Sequence, residues 1–569
     1  MKKNVLALSI AAMVGGLGFA GAASADVIRG NGAVPSATQL GLSNATGFEL
    51  NEGGTGHNLV VPYFTAQNGN MTVLHLVNTD TLNGKAVKVR FRGAANSDDL
   101  MDFQVFLSPQ DVWTAAVTQG SNGILQLVSS DNTCTLPKLN SAPMAVDGGK
   151  VAGKAGFFNG TTARLNPKLS ADAQAAGSRE GYVEIFNMAD IPSTSVYGGG
   201  TTGARSALYK TIKHNAAGVA ECDSSVLNTA VLNTNYTVEG DAAAAGLATP
   251  TTGLLGDWYI MNVPQTTTFS GAATALTAVA NGVPARGNFV LFPQRANSVD
   301  AATANNVTAD PLFRTLNVGT SKTAAGAVSG GSFTNPVIAA GEYDLPDMST
   351  PYFTAVGATA PLAQAQALSQ QLATRNVLNQ YANDAVVSGK TDWVFSMPTR
   401  RYSVALNYNG SGTAAADAAF RVFSSDILGV NGTAFFHGGN TAVTGSTGDA
   451  KICVNADGQT FYGREEEFKE SGAILSPGQV QQVRFCGETS VLSFADSGTS
   501  VLGATVARQD TGNSAYTRGW ANANVNNGGA GLPIVGASFQ KLTNPSASTG
   551  FSGTYGITWP HRHVRPVAQ

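Results

Sequence analysis

Three groups of carboxylates pose the chemical questions of this chain. Asp98 and Asp99 precede a run of alternating residues that begins with Asp102 near its start; Asp344 and Asp347 flank Pro346; Glu465, Glu466 and Glu467 are consecutive. Glycoside hydrolysis needs two carboxylates roughly 5–9 Å apart, a distance that the fold sets. Calcium needs about six to eight oxygen ligands, which Asp- and Asn-rich loops of a β protein supply. Asp98, Asp99, Asp344 and Asp347 are therefore the positions for a structural calcium, and no other cofactor is expected. Solvated turns and caps are the plainer reading of every group. No EF-hand loop accompanies them: Asn455-Ala456-Asp457-Gly458 matches only the middle of one. No catalytic residue is assigned.

The nucleophile signatures are equally thin. A strand-to-helix elbow of the form G-x-S-x-G is absent, and Gly498-Thr499-Ser500-Val501-Leu502 lacks its second glycine. Among the six histidines, His75 shares a strand face with Val73 and Val77 and reads as a half-buried structural residue. Arg400-Arg401 and His561-Arg562-His563 read as ordinary basic surface. Trp113, Trp258, Trp393, Trp520 and Trp559 all adjoin strand-like runs, where such rings more often plug a core than form a sugar platform. Four cysteines, Cys134, Cys222, Cys453 and Cys486, favour two disulfides in an exported chain. Three connectivities exist, and the sequential one, Cys134–Cys222 with Cys453–Cys486, is expected. Zinc is the competing use, but no C-x₂-C pair occurs.

The elements that would position these groups are mostly strands. Between residues 58 and 117, Val87, Val89 and Phe91 alternate with Lys88, Arg90 and Arg92, and Met101, Phe103, Val105 and Leu107 alternate with Asp102, Gln104 and Phe106. Alternation with period two buries one face and wets the other. Leu82-Asn83-Gly84 predicts a tight hairpin turn, and Ser108-Pro109-Gln110-Asp111 a second turn. Further strands are expected at Arg179–Met188 and Gly256–Val263, and a strand or buried apolar run at Asn288–Pro293. One or two helical turns are expected at 170–176 and a short helix at 271–280. The one long helical pattern is 361–381, where Leu362, Ala365, Leu368, Leu372 and Leu378 recur at helix spacing after Pro361. Hairpins are expected from 391–398 with 401–408 and from 480–485 with 490–494. Two strand-like pieces close the chain at 531–565.

The N-terminus predicts a Sec-type signal peptide over 1–25: Lys2 and Lys3, an apolar core, then Ala23-Ser24-Ala25 before the cut. The 34 Lys and Arg less the two leader lysines, against 37 Asp and Glu, leave a net charge of −5. Nothing in that balance attracts phosphate backbones, so nucleic acid is excluded as a partner. No later run reaches the roughly 18 apolar residues of a membrane helix, and the uneven strands do not suit an outer-membrane barrel. Charged residues make up 12 % of the chain, against about 25 % in ordinary soluble domains, and 66 residues are glycine. The surface is therefore polar through hydroxyls and amides, and copies repel one another weakly.

The expected fold is mainly β: antiparallel β-sandwich domains with long Gly/Ala/Thr-rich loops and one notable helix near 361–381. Residues 26–335 form an N-terminal sandwich region and 336–569 a helix plus β-rich region, with a small-residue boundary at 300–335.

Six blocks carry a likeness. They are LHLVNTD with VKVRFRG and SDDLMDFQVFLSPQDVW, then REGYVEIFNMAD, GDWYIMNV followed by SGAATAL, DLPDMSTP, TDWVFSMPTRR and GLPIVGASFQKL. In that order, over about residues 58–565, the chain resembles a broad group of exported Gram-negative cell-surface or surface-layer-like proteins. The resemblance implies a surface-associated, β-rich structural protein and carries over no catalytic residue. It shows neither an anchoring repeat nor a sorting tail. The resulting expectation is an exported, non-enzymatic subunit, at the cell surface or in the periplasm, that self-associates into a lattice or filament. An adhesin binding cell-envelope glycan is the alternative, and a secreted polymer hydrolase a third reading.

Overall fold

The computed structural model describes residues 26–143, 154–162, 164–194, 205–232, 236–291, 347–353, 360–406, 408, 421–423, 433–445, 448–466, 468–470, 484–494, 500–510 and 516–566. The expected signal peptide, the boundary at 300–335 and Asp344 lie outside the described residues. The described chain is mainly β.

Two large sheets of eight strands each build the N-terminal half, and thirteen of the strands are the longer or better connected. They are β1 (Gly47–Asn51), β2 (Asn58–Thr65), β3 (Asn70–Asn78), β4 (Asn83–Gly93), β5 (Asp99–Leu107), β6 (Val112–Gln119) and β7 (Leu125–Ser129). There follow β8 (Cys134–Leu136), β9 (Lys154–Asn159), β10 (Glu180–Pro192), β11 (Leu254–Asn262), β12 (Thr267–Ala272) and β13 (Thr274–Ala280). The first sheet runs β8–β5–β4–β10–β2–β13, with β1 also on β13; the second runs β9–β7–β6–β3–β11–β12. All pairings in both are antiparallel.

The Asn83-Gly84 hairpin is not what forms. Strands β3 and β4 lie in different sheets, and so do β5 and β6, so both turns are arches between layers. Asn78 ties the two arches together, its Nδ2 donating to the carbonyls of Asn83 (2.8 Å) and Ser108 (3.0 Å). Asp80 caps the first arch by accepting from the backbone of Leu82 and Asn83, the side-chain mimicry that Asp supplies in turns. Gly84 serves close packing instead: a Cβ there would meet the Leu107 carbonyl at 2.8 Å.

The apolar half of the alternation falls where expected. Val87, Val89, Phe91, Phe103 and Val105 share a core with Leu74, Leu76, Trp113 and Trp258 from the second sheet. Each such side chain stabilises the fold by about 1.5–3 kcal/mol through removal from water. The polar half does not fall where expected. Lys85, Lys88, Arg90 and Arg92 are at most 2 % exposed, because a further layer covers the first sheet. At one end, helices Ala207–Ile212, Ser224–Leu227 and Glu239–Ala244 pack on Phe106, Met188 and Ile191. At the other, the helix Ala360–Leu372 sets Ala365, Leu368 and Leu372 against Val60, Phe186 and Leu276.

That helix is shorter than the periodicity predicts. Past Leu372 the chain turns into β14 (Asn376–Ala382), where Val377, Asn379 and Tyr381 point inward at period two. Pairing on both sides of β14 outweighs the local helical spacing there. Likewise 271–280 is not helical but forms parts of β12 and β13, and the bare Gly271 leaves room for the Trp258 ring. A helix at Ala171–Gly177, capped by the Ser170 side chain, does form where 170–176 was read as helical turns.

The main further strands are β15 (Lys390–Ser396), β16 (Lys451–Asn455), β17 (Gly458–Gly463), β18 (Arg484–Cys486), β19 (Thr489–Ser493) and β20 (Arg518–Asn524). The last three are β21 (Ala537–Ser548), β22 (Phe551–Pro560) and β23 (Arg562–Val564). One sheet runs β19–β15–β21–β22, another β17–β20–β14–β23, and β16 pairs with β18. The expected 391–398/401–408 hairpin does not form, since β15 pairs with β19 and β21; residues 480–483 of the other lie outside the described residues, and the described 484–486 pair with β16. Val404–Leu406 pairs with Arg421–Phe423 instead, after a turn at Arg400–Tyr402. Strand β15 is buried on both faces, Val394 in the first core and Trp393 and Phe395 in a second. The outer strand β22 lies over the edge of β12, where a Cβ at Gly556 would meet the Thr268 carbonyl at 2.1 Å and Thr558 Oγ1 accepts from the Ser270 backbone. Both disulfides pair as expected, Cys134 with Cys222 and Cys453 with Cys486.

Candidate functional site in a buried ionic layer

The chemistry-bearing side chains converge on the covered face of the first sheet. Register sets Arg92 opposite Tyr182, Arg90 opposite Glu184 and, on the other side, Arg90 opposite Asp102. Residues alternating on adjacent strands thus stand in a grid of opposite charge. Glu184 accepts from Arg92 Nε (3.2 Å) and from Arg401 Nη2 (3.0 Å), and Arg401 also reaches Asp347 Oδ2 at 3.3 Å. Arg92 Nη2 lies 3.8 Å from the same Asp347 oxygen. Two guanidiniums and two carboxylates therefore form a neutral quartet. Beside it Lys88 pairs with Asp102, Lys85 with Asp190 at 3.0 Å, and Arg400 with Glu488 at 2.6 Å.

Tyrosines line the layer. Tyr182 shares a hydrogen bond with Ser97 (2.6 Å), Tyr402 accepts from Arg401, and Tyr408 donates to Asp98 Oδ1 (2.5 Å). Burial pushes the Tyr182, Tyr402 and Tyr408 hydroxyls up, so all three stay protonated and can donate. Burial alone would raise the Asp347 carboxyl, but Arg401 and Arg92 hold it below the usual range. Burial raises Glu488 despite Arg400 and Arg401. It raises Asp98 to about 7, against the opposing hydrogen bond from Tyr408 and the charge of Arg92.

These positions correct the plain reading of solvated turns. Asp98, Asp102 and Asp347 are buried, and Asp99 lies 3.8 Å from Arg90 Nε. Of the four aspartates singled out for calcium, the three described are each engaged by a hydroxyl or a guanidinium. Among the described residues no three His, Cys, Asp or Glu gather as metal ligands. Glu465 does match the plain reading: it is exposed and bonded to its neighbour Arg464. Arg400-Arg401 is not surface but the covering half of the layer. His561 is not surface either. It is buried, and burial together with the nearby His563 lowers it to about 3. Its Nε2 donates to the Val394 carbonyl (2.8 Å) while Nδ1 accepts from Asn379 (3.0 Å), which fixes a neutral tautomer.

Sequence reasoning missed His57, Glu180, Glu184 and Glu488. His57 is buried and lowered to about 3, chiefly by desolvation, and its Nδ1 accepts from the Ala278 backbone. Glu180 accepts from the backbone of Thr505 and Ala507, holding the 505–507 segment against β10. The signal was present: Glu180, Tyr182 and Glu184 share one parity in a strand of a chain poor in charge.

Chemically, the layer neutralises itself and joins distant segments. Its ionic groups are buried among the described residues. A pocket of about 240 Å³ beside the Cys134–Cys222 bridge, lined by Asp131, Lys138 and Glu221, is smaller than the roughly 300–1,000 Å³ of small-molecule sites.

Asp98 gives a pH test. Its proton leaves near pH 7 in the folded chain but near 3.9 in an unfolded one. Stability from this group is thus greatest near pH 4 and falls as pH rises to 7. Asp98→Asn keeps the acceptor for Tyr408 and is expected to match wild type at pH 4 and exceed it by about 1–3 kcal/mol at pH 8. Urea midpoints at the two pH values check this, and an equal difference at both would refute it.

Comparison with protein-family models, with curated proteins and with solved structures found no match.

Proposed function

We propose that the chain is an exported structural protein of the cell surface that assembles with copies of itself, as a surface-layer-like or filament subunit. The observation that carries this reading is where the charge goes. Lys85, Lys88, Arg90, Arg92, Arg400 and Arg401 are all buried in internal pairs, in a chain with only 12 % charged residues. A surface depleted of ions repels its copies weakly. Two disulfides fit folding in an oxidising compartment outside the cytoplasm. No helix among the described residues is long and apolar enough to cross a membrane.

The open face of the second sheet is the surface on which copies meet. Met71, Val77, Leu255, Tyr259 and Met261 are half-buried there and Val112 is 47 % exposed, with His75 and Asp257 the ionisable groups among them. Four strands of about nine residues span roughly 30 by 19 Å. That is about 600 Å² per partner, at the low end of specific interfaces. Because β22 covers the edge of β12, face stacking is favoured over edge pairing at β12.

Sedimentation velocity of residues 26–569 tests the proposal. Species that grow with concentration at low and high salt are expected, and Val112→Asp with Leu255→Asp should return them to monomer. A monodisperse monomer at the highest concentration, with and without calcium, would overturn it.

A further inference from the structure

The second open sheet surface has a different character. In β14, β17 and β20 the inward positions are Val377, Tyr381, Phe461, Ala521 and Ala523, all in the second core. The opposite parity faces out. Cross-strand register puts Tyr462, Trp520 and Gln380 in one row and Thr460, Asn522 and Leu378 in the next. The Tyr462 and Trp520 rings stack with centroids 4.0 Å apart and planes 10° from parallel. Rings stacked along the inter-strand direction stand up from the sheet. Tyr462 therefore covers one face of the indole. Trp520 is nonetheless 40 % exposed, so its accessible area lies on the side of the exposed Gln380.

We propose that this face binds a neutral polysaccharide, with Trp520 as a standing aromatic wall and Gln380, Asn522 and Thr460 as the hydroxyl-reading groups. An open indole face packs against the C–H side of a sugar ring, as aromatic rings do wherever one side of a ligand is apolar and the other wet. Amides both donate and accept, which matches hydroxyls in either orientation. The row of Tyr462, Trp520 and Gln380 holds no ionised group, while the second row continues into Arg562 beside Leu378 and Glu470 beside Thr460, one residue of each charge. Arg518 borders the rows and is engaged by Asp384 at 3.5 Å, so an uncharged, hydroxyl-rich partner fits better than an anionic one. Rows two residues apart along a strand are separated by about 7 Å, which suits successive units of a chain better than a single sugar. Tyr462 is a positioning residue here, since it holds the indole upright. This binding face is separate from the proposed stacking face and stands or falls independently of it.

The test uses the mature chain and retention on cellulose, chitin and a soluble neutral β-glucan. Wild type should be retained by at least one of these at low and high salt. Trp520→Ala should weaken retention at least about tenfold, the loss expected of an aromatic anchor. Gln380→Ala should weaken it less, and Tyr555→Ala, an exposed ring on the β21–β22 hairpin, should leave it unchanged. If Trp520→Ala melts early, Trp520→Phe and Gln380→Ala carry the comparison. No retention on any neutral glycan would overturn the proposal. So would equal retention of wild type and Trp520→Ala, or a Trp520→Ala variant that alters sedimentation while glycan retention stays unchanged.

Discussion

Arg401→Met is expected to lower the folding free energy by about 3–5 kcal/mol, the usual consequence of removing one partner from a buried ion pair. The guanidinium is 1 % exposed and serves two carboxylates, Glu184 and Asp347. Its loss leaves one positive charge, on Arg92, facing both. Methionine fills similar space, so the loss is electrostatic more than steric. Adding Glu184→Gln should therefore recover part of the loss, because Arg92 and Asp347 then form a balanced pair. Denaturant unfolding of both single variants and the double variant gives the coupling directly. Strict additivity would mean that the quartet does not act as a unit. Protonation shows the same dependence: Asp347, held below the ordinary carboxylate range, contributes stability above about pH 4, and this is lost as pH falls through its lowered value.

The two disulfides should differ in their effect. Cys134 and Cys222 are 88 residues apart, and chain entropy credits such a loop with about 4.6 kcal/mol at most. Cys453 and Cys486 are 33 apart, for about 3.7 kcal/mol. Structure widens the gap. Cys453 and Cys486 are directly paired across β16 and β18, whose ladder remains after substitution. Cys222 instead leads into the helices that cover Phe106 and Met188, and its bridge ties that layer to the edge strand β8. Serine pairs at 134/222 should therefore cost more than serine pairs at 453/486, roughly 4 against 2 kcal/mol. Urea titration checks the order, and a reversal would show that the helical layer does not depend on its bridge.

Much of the fold was legible because period two is a local signal. Val87, Val89 and Phe91 had to share a face, and they do. Which face was covered was not legible, because Arg401, Asp347 and Glu488 come from roughly 160 to 400 residues further along the chain. Alternation distinguishes two faces but cannot say that the charged one will meet opposite charges. The 361–381 pattern misled for a related reason. Leu378 fits helix spacing, yet Val377, Asn379 and Tyr381 fit strand spacing equally well, and pairing to β20 decided between them. Asn83-Gly84 looked like a hairpin from its residue types, while Asn78 and Asp80, outside the dipeptide, directed the chain into the other sheet. Four cysteines foretold two disulfides, whereas the choice among three connectivities was a preference that the fold decided.

An outer surface poor in ions is the property on which the proposed assembly rests, and imaging the envelope tests it most directly. Electron microscopy of envelopes and culture fluid should show ordered sheets or filaments in cells that make the chain, absent when its gene is deleted and restored by the wild-type gene but not by the Val112→Asp/Leu255→Asp variant. Envelopes identical with and without the chain, or order that survives the double substitution, would contradict it.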